Sequence, residues 1–486
     1  MNLNHINVIA RYEVKLVKRS WLFRIFAILA LLFISAIMLG YQTGIVNRMD
    51  NLWPRIAVSS LMPFCNTYFY NIAQSVIVVF LAGSFLKRDK KLDTAEVIYV
   101  RPMSNADYIV GKTWGIVKVF ITLNIITLLF TAFLNILINK SPFDLFPYLF
   151  YLLTISVPSL LFVLGLSFTA MCILKNQAVT FIVMLGIIGT VFFYLTDTLY
   201  GVFDFFGVNI PAIFSDVTGH ADLRLFLLQR FSYLLAGIGL ISMTIALVKR
   251  LPHKPWKIAV VYTFSSLFLL AACLGGLLYI LHYNHQLDLR HQYIMTFDKY
   301  ADVPHVDLLV NDISVTPQGY RLAGKSTVKV ANNNAKPLDK IIFYLNPELT
   351  VTSVEMAGKN LLFRRDHQVI EVDQPIQQQE ELTLTINYEG KISENICYTD
   401  VLKEDYLDTE VPQVFWRFGK RYAWLSNTFT LLTPECIWYP VTIAPVNPGA
   451  PYNVRKNFTD YTLTVHYEGD KTVLSQGKSK IDGPAI

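Results

Sequence analysis

The sequence predicts an α-helical polytopic membrane domain of seven crossings, followed by an all-β antiparallel sandwich or saddle domain. Three observations predict it. The chain is 53% hydrophobic and only 16% charged, with a mean hydropathy of +0.40, which is too apolar for an ordinary soluble protein. Its long apolar stretches all lie in the first part of the chain. Further on, apolar and polar residues alternate with period two between Gly- and Asn-rich turns, which is the mark of half-buried strands.

Seven stretches, 21–41, 66–86, 114–138, 146–174, 178–198, 231–248 and 258–281, are long enough for a hydrocarbon core, which takes roughly 20 apolar residues. With the N-terminus inside, fifteen Lys and Arg fall on inner segments and five on outer ones. Cytoplasmic loops retain Lys and Arg, so this start is the favoured one, and seven crossings then export everything beyond them. The expected location is the bacterial inner (cytoplasmic) membrane, multi-pass, with the C-terminal domain extracytoplasmic. The first apolar stretch exceeds a signal-peptide core and no small-x-small site follows it, so it is expected to stay as an anchor. The net charge of +6 is accounted for by the inner-face cations, and gives no argument for nucleic acid.

The expected organisation is an inner-face helix over 1–20, a membrane domain over 21–281 with an inner elbow at 87–112, a linker over 282–304 and the β-domain over 305–486. In the first of these, Asn7, Arg11, Lys15 and Lys18 share one helical face, and Ile6, Ile9, Ala10, Leu16 and Val17 the other. That is an interfacial helix against the inner leaflet. Glu13 projects among the apolar residues, and either finds a cation or donor there or snorkels to the headgroups. In the elbow, KRDKKLDTAEVIYVRPMSNADYIVGK reads as two short helices. Asp93 caps the first with Glu96 three residues on, and Arg101-Pro102 ends it; Ser104 caps the second with Asp107, leading into Tyr108. The plain reading is a solvated basic loop, and the sharper one a docking element for a cytoplasmic partner.

ARYEVKLVKRSWLF before the first crossing and DTAEVIYVRPMSNADYIVGK before the third resemble the elbow helix and first inner loop of permease subunits of ABC-2 type ABC transporters. SFTAMCILKNQAVTFIVM, with Lys175-Asn176 at a tight turn, is similar to that family's fourth-to-fifth connection. The resemblance covers residues 5–250. It implies a separate cytoplasmic ATPase subunit docking at the elbow, and a homodimer or pairing with a second permease half within the bilayer. Such permeases usually have six crossings; the seventh here is what exports the β-domain.

GYRLAGKST, residues 319–327, fits the phosphate-loop pattern G-x-x-x-x-G-K-[ST] through Gly319, Gly324, Lys325 and Ser326. The chemistry needs a strand before the loop and a helix N-terminus after it. Here TPQG precedes it as a turn and TVKVANNN follows it as a strand, so a nucleotide site is not expected. Strand patterns continue through KIIFYL, TVTSVEM, QVIEV, ELTLTINYEG and DYTLTVHYEG. In the fourth, Leu382, Leu384, Ile386 and Tyr388 share one face; in the fifth, Tyr461, Leu463, Val465 and Tyr467 do.

LAGKSTVKVANN, LTLTINYEGKI, LLTPECIWYP and FTDYTLTVHYEG are similar to the N-terminal β-domain of aminopeptidase N-type zinc aminopeptidases, over residues 305–480. The family's H-E-x-x-H motif does not occur among the nine histidines, so the resemblance implies a β-domain without its catalytic partner. His282-x-x-His285 reads as interfacial histidine sooner than a metal site, and Glu435 as a turn carboxylate. Cys397 and Cys436 are allowed a disulfide in an exported domain without requiring one. No cofactor is expected. The leading function is a permease subunit; the alternatives are the anchored N-terminal portion of a zinc aminopeptidase and a membrane-tethered binding module.

Overall fold

The computed structural model describes residues 2–42, 60–83, 103–138, 143–196, 198–207, 210, 214–215, 219–220, 222–248, 255–400, 421–444, 458–467 and 471–480. The chain divides into two compact units, the first holding Met1–Tyr283 and the second Asn284–Gln413 with Lys420–Ile486.

The first unit is helical. An amphipathic helix α1 (Leu3–Arg19) precedes α2 (Trp21–Gln42), α3 (Leu61–Gly83), α4 (Asn105–Ile138), α5 (Phe146–Leu174), α6 (Gln177–Leu195), α7 (Leu223–Leu247) and α8 (Pro255–Tyr300), of which the residues as far as Tyr283 belong to this unit. All but α1 are long and apolar enough to cross a membrane. Helix α5 widens into a π turn over Leu152–Ser156, and Lys175, at φ 55, ends it in the left-handed region. Asn176 then opens α6, its side chain accepting from the Ala178 N–H at 3.0 Å. The segment 282–304, read from the sequence as a linker, is helical as far as Tyr300. Its polar composition hid this, because a helix outside lipid needs no continuous apolar run.

Small residues set the spacing of the helices. A Cβ on Gly165 would stand 2.8 Å from the Gly237 carbonyl oxygen, and one on Gly237 2.7 Å from the Leu161 carbonyl carbon, so α5 and α7 meet backbone to backbone. Thr169 Oγ1 donates to the Leu240 carbonyl (2.9 Å) along the same seam.

The second unit is built of strands β1 (Asp307–Gln318), β2 (Arg321–Ala331), β3 (Ile341–Tyr344), β4 (Leu349–Met356), β5 (Lys359–Asn360), β6 (Phe363–Asp366), β7 (Val369–Val372), β8 (Glu381–Gly390), β9 (Ala423–Leu425), β10 (Thr430–Leu432) and β11 (Asp460–Val465). A six-stranded sheet runs β11-β1-β2-β8-β4-β5, a three-stranded sheet β3-β7-β6, and β9 pairs with β10. The two larger sheets share a core, in which Val328, Val330, Leu384 and Ile386 pack with Ile341, Phe343, Ile370 and Val372. Leu384, Ile386 and Tyr388 are buried as their alternation requires.

The expectation of a purely antiparallel fold is corrected by β11. It runs parallel to β1, with Asp460 opposite Val310 and Val465 opposite Val315. Period-two alternation fixes which face is buried and is silent on strand direction, and the long connection before β11 allows a parallel return. At the sheet edge its Leu463 and Val465 are only partly covered.

Candidate functional site

Three places in the chain were candidates from sequence, and the structure adds a fourth. In the first, α1 lies along α4. Ile6, Ala10, Glu13 and Val17 form its buried face, while Arg11, Lys15 and Lys18 are exposed. The apolar face expected to meet lipid is covered by protein, because Gly111 and Gly115 open a groove for it. A Cβ on Gly111 would stand 2.8 Å from Ile9 Cβ, and one on Gly115 2.9 Å from the Ala10 carbonyl oxygen. Glu13 is only 2% exposed and resolves its alternatives by meeting Lys112, Oε2 to Nζ 3.7 Å. Lys112 Nζ also lies 5.0 Å from the centre of the buried Tyr108 ring.

At the start of α4, Ser104 and Asp107 exchange hydrogen bonds as a capping box. The Asp107 N–H donates to Ser104 Oγ (3.0 Å) and the Ser104 N–H to Asp107 Oδ2 (3.2 Å). Asp107 Oδ1 also accepts from the Asn2 N–H at 2.8 Å, and His5 Nδ1 lies 3.7 Å from Oδ2. The cap thereby clasps the first turn of α1. The partner half of the expected elbow, Asp93, Glu96 and Arg101, lies outside the described residues.

The second candidate, the phosphate-loop pattern, sits in a β-hairpin. Gly319 and Tyr320 form the loop between paired Gln318 and Arg321, and Gly319 (φ +61) takes the left-handed conformation such a turn demands. Gly324 faces Tyr388 across the strand pair, where an added Cβ would stand 2.3 Å from the ring. Ser326 Oγ is buried 3.5 Å from the Tyr388 hydroxyl. The pattern thus opens on a hairpin loop and lies from Arg321 on in a sheet, with strand and not helix following Lys325.

For the third candidate, the histidines weighed for metal, no three of His, Cys, Asp and Glu among the described residues form a group that could hold a metal ion. Glu435 Oε1 accepts from the Tyr398 hydroxyl at 3.4 Å, in the short helical turn Pro434–Cys436.

The fourth is a buried polar seam inside the helical unit. Asn66 donates to Thr131 Oγ1 (2.7 Å), and Thr127 Oγ1 returns a bond to Asn66 Oδ1 (3.2 Å). Asn124 donates to Ser156 Oγ (2.6 Å), and Asn71 to Ser159 Oγ (3.2 Å). The seam ends on a stretch of broken helix. Leu199 (φ 48), Tyr200 (φ 62) and Gly201 (φ 78) are left-handed and interrupt the helix, and although the Gly201 carbonyl keeps the Asp204 N–H (3.1 Å), the carbonyls of this stretch need further donors.

Side chains supply them. Tyr279 donates to the Tyr200 carbonyl (2.9 Å), Tyr233 to Val202 (2.8 Å), Ser159 to Phe205 (2.5 Å) and Asn71 to Phe206 (2.9 Å). Gln229 donates to Gly201 and Asp204, at 3.0 Å each. Arg230, wholly buried, reaches the Asp204 carbonyl, the Phe205 carbonyl (3.1 Å) and Gln229 Oε1 (2.6 Å). Irregular backbone among apolar helices persists only where protein groups satisfy it in this way.

Sequence reading missed this seam, although a signal was present. Thr67, Asn71 and Gln74, and Asn124, Thr127 and Thr131, recur at helical spacing within apolar runs. Hydropathy averaged over a window erases such a stripe. Arg230, one of the five outer cations of the sequence, carries no sign there of these partners.

No protein-family model matches the chain, and no curated protein does. Solved structures similar to part of it include an M1 zinc metallopeptidase from Deinococcus radiodurans, at 23% identity over 18% of this chain and 21% of that one, with a TM-score of 0.17. A variant of that enzyme bound to a Tyr-Ser-Ala substrate is similar at 19% identity over 33% of this chain and 32% of that one, with a TM-score of 0.24. The chain therefore spans between a fifth and a third of the length of these enzymes.

Proposed function

We propose that the chain is a permease subunit of an ABC-type transporter. It works in a cytoplasmic membrane with a separate cytoplasmic ATPase, pairs with a second copy or a second permease half, and carries a non-catalytic extracytoplasmic β-domain of aminopeptidase type. The observation that carries this reading is the convergence of Asn71, Ser159, Gln229, Arg230, Tyr233 and Tyr279 on the carbonyls of residues 200–206. An anchor needs apolar length and nothing more. Polar and charged side chains inside a helix bundle are costly, and where they line broken helices they accompany transport paths and moving parts.

The clasp of α1 over α4 supports the coupling half of the proposal. A push on the segment preceding Ser104 passes to α4 through the capping box, and to α1 through the Asp107 contact with Asn2. ATP binds to the partner and not to Lys325, whose strand setting offers no phosphate cradle.

The test is association. Glu96→Ala with Arg101→Ala should leave membrane abundance near normal while reducing co-purification of the cytoplasmic ATPase. Undiminished co-purification at matched abundance would overturn the docking role. Chelator-sensitive release of amino acids from a chromogenic aminoacyl substrate by the chain alone would favour the reading as part of a zinc aminopeptidase instead.

A further inference from the structure

We propose that Cys397 and Cys436 are joined by a disulfide in the cell, stapling two short helical turns of the second unit. Both are wholly buried, and their Sγ atoms stand 3.4 Å apart. Each follows or closes a 3-10 turn, Glu394–Ile396 and Pro434–Cys436. The Cys397 N–H donates to the Glu394 carbonyl (3.1 Å) and the Cys436 N–H to the Thr433 carbonyl (3.2 Å).

Both backbones are held from elsewhere in the unit. Arg290 Nη1 donates to the Cys397 carbonyl and Asn346 Nδ2 to the Cys436 carbonyl, each at 2.7 Å. A disulfide S–S bond is about 2.05 Å long, so closure asks for a shift of roughly 1.4 Å, shared between rotations about the two Cα–Cβ bonds. Cysteines 39 positions apart are thus placed sulfur to sulfur. Among the described residues no third ligating side chain joins them in a group that could hold a metal ion.

The bond forms by exchange with a disulfide oxidant as the unit folds. One cysteine, as thiolate, attacks the oxidant's S–S bond, forms a mixed disulfide and expels one oxidant thiol. The second cysteine, after losing its proton, attacks the sulfur of the first and expels the other thiol. Two cysteine thiols are oxidised by two electrons and the oxidant is reduced to two thiols. The adjacent Cys397 thiol and burial hold the Cys436 thiol well above its usual range, so Cys436 in the folded, reduced chain offers little thiolate. That favours a structural bond made during folding over a bond that opens and closes in use.

The proposal rests on export of the second unit, which the proposed function assumes, and not on transport. The test uses the full chain in cells with an oxidising exterior. Thiols are trapped with maleimide under denaturing conditions, and the protein is digested and weighed. The expected result is a linked pair of peptides holding Cys397 and Cys436, free of maleimide and separated by reduction.

Maleimide on both cysteines without reduction would overturn the proposal. A glutathione redox buffer present while the denatured, reduced full chain refolds in detergent, when both thiols are accessible, then locates the fault. Closure there condemns the assumed compartment, and with it the export reading. Failure to close condemns the geometry and leaves export standing.

Discussion

Lys112 and Glu13 stand 3.7 Å apart in the helical unit, and Arg321 and Glu389 stand 3.8 Å apart in the β unit. The distances are nearly equal and the surroundings are opposite. The first pair is 5% and 2% exposed, the second 58% and 57%. Water screens the second pair and competes for both its members, so little rests on it. The first pair is withdrawn from water, where attraction between opposite charges is screened least and removing one member of a pair is expensive. What a residue contributes in this chain is set by its solvent more than by its contact list.

The largest expected effect breaks that comparison at its strongest point. Glu13→Gln should destabilise the helical unit by about 3–5 kcal/mol, the usual cost of leaving one member of a buried pair. Glu389→Gln should cost the β unit no more than about 1 kcal/mol. Denaturant unfolding of the detergent-purified chain, followed by helical and sheet circular dichroism, measures both. Glu13→Leu with Lys112→Met should recover most of the loss, because an apolar pair needs no compensation. Equal effects of the two single changes would show the α1 to α4 contact to be solvated.

A second comparison concerns glycine. A Cβ on Gly115 would meet Glu13 Cβ at 2.7 Å and the Ala10 carbonyl oxygen at 2.9 Å, whereas one on Gly324 would meet the Tyr388 side chain, at 2.3 Å. Alanine at either place should cost about 1–3 kcal/mol by overpacking. The rescue differs: Tyr388→Leu should restore part of the loss in Gly324→Ala, since a side chain can be cut back. No side-chain change can move the Ala10 backbone, so Gly115→Ala should stay unrescued. A double-mutant cycle on thermal unfolding gives the coupling directly, and additivity at Gly324 and Tyr388 would break the distinction.

The same contrast explains what was legible in the sequence. In the β unit, side chains alternate between core and water, so ELTLTINYEG announced β8 at its observed limits, Glu381 and Gly390. The parallel return of β11 was not legible, because alternation carries no direction. In the helical unit, hydropathy located the seven long helices, stopped short where α4 and α8 run beyond their apolar stretches, and reported faces poorly. Apolar residues point both outward and inward there, so the inward face is told by small and polar residues. Gly111 with Gly115, and Asn124 with Thr127 and Thr131, carry that information, which neither charge nor motif reveals. Ser104 with Asp107 was read correctly as a cap because a capping box is a local device, closed within three residues. Arg230 could not be read at all, since its partners Asp204 and Phe205 lie on a broken segment some 25 positions away.

The smallest expected effect is confined to the β unit and sets it apart by pH. Glu371 accepts from the Tyr300 hydroxyl and from Lys340 Nζ (3.0 Å), and Asp366 from Lys299 Nζ (2.5 Å). The Tyr300 hydrogen bond first, and Lys340 with it, hold the Glu371 carboxyl below the usual carboxylate range; Lys299 does the same for Asp366. A carboxyl with a lowered folded pKa contributes stability above its unfolded value, near 4 for Asp and Glu. As pH falls below that value the unfolded chain takes up protons first, and the contribution is gone once pH has passed the lowered folded value. Acid should therefore lower the melting temperature of the β unit from about pH 4 downward, and Glu371→Gln should flatten that slope while leaving the unit folded at neutral pH. The change in slope between Glu371→Gln and the unaltered chain should be absent from the helical unit, since neither carboxylate belongs to it. An unchanged slope in Glu371→Gln would mean that the Tyr300 hydroxyl and Lys340 do not favour the ionised carboxylate in solution, and would remove this difference between the two units.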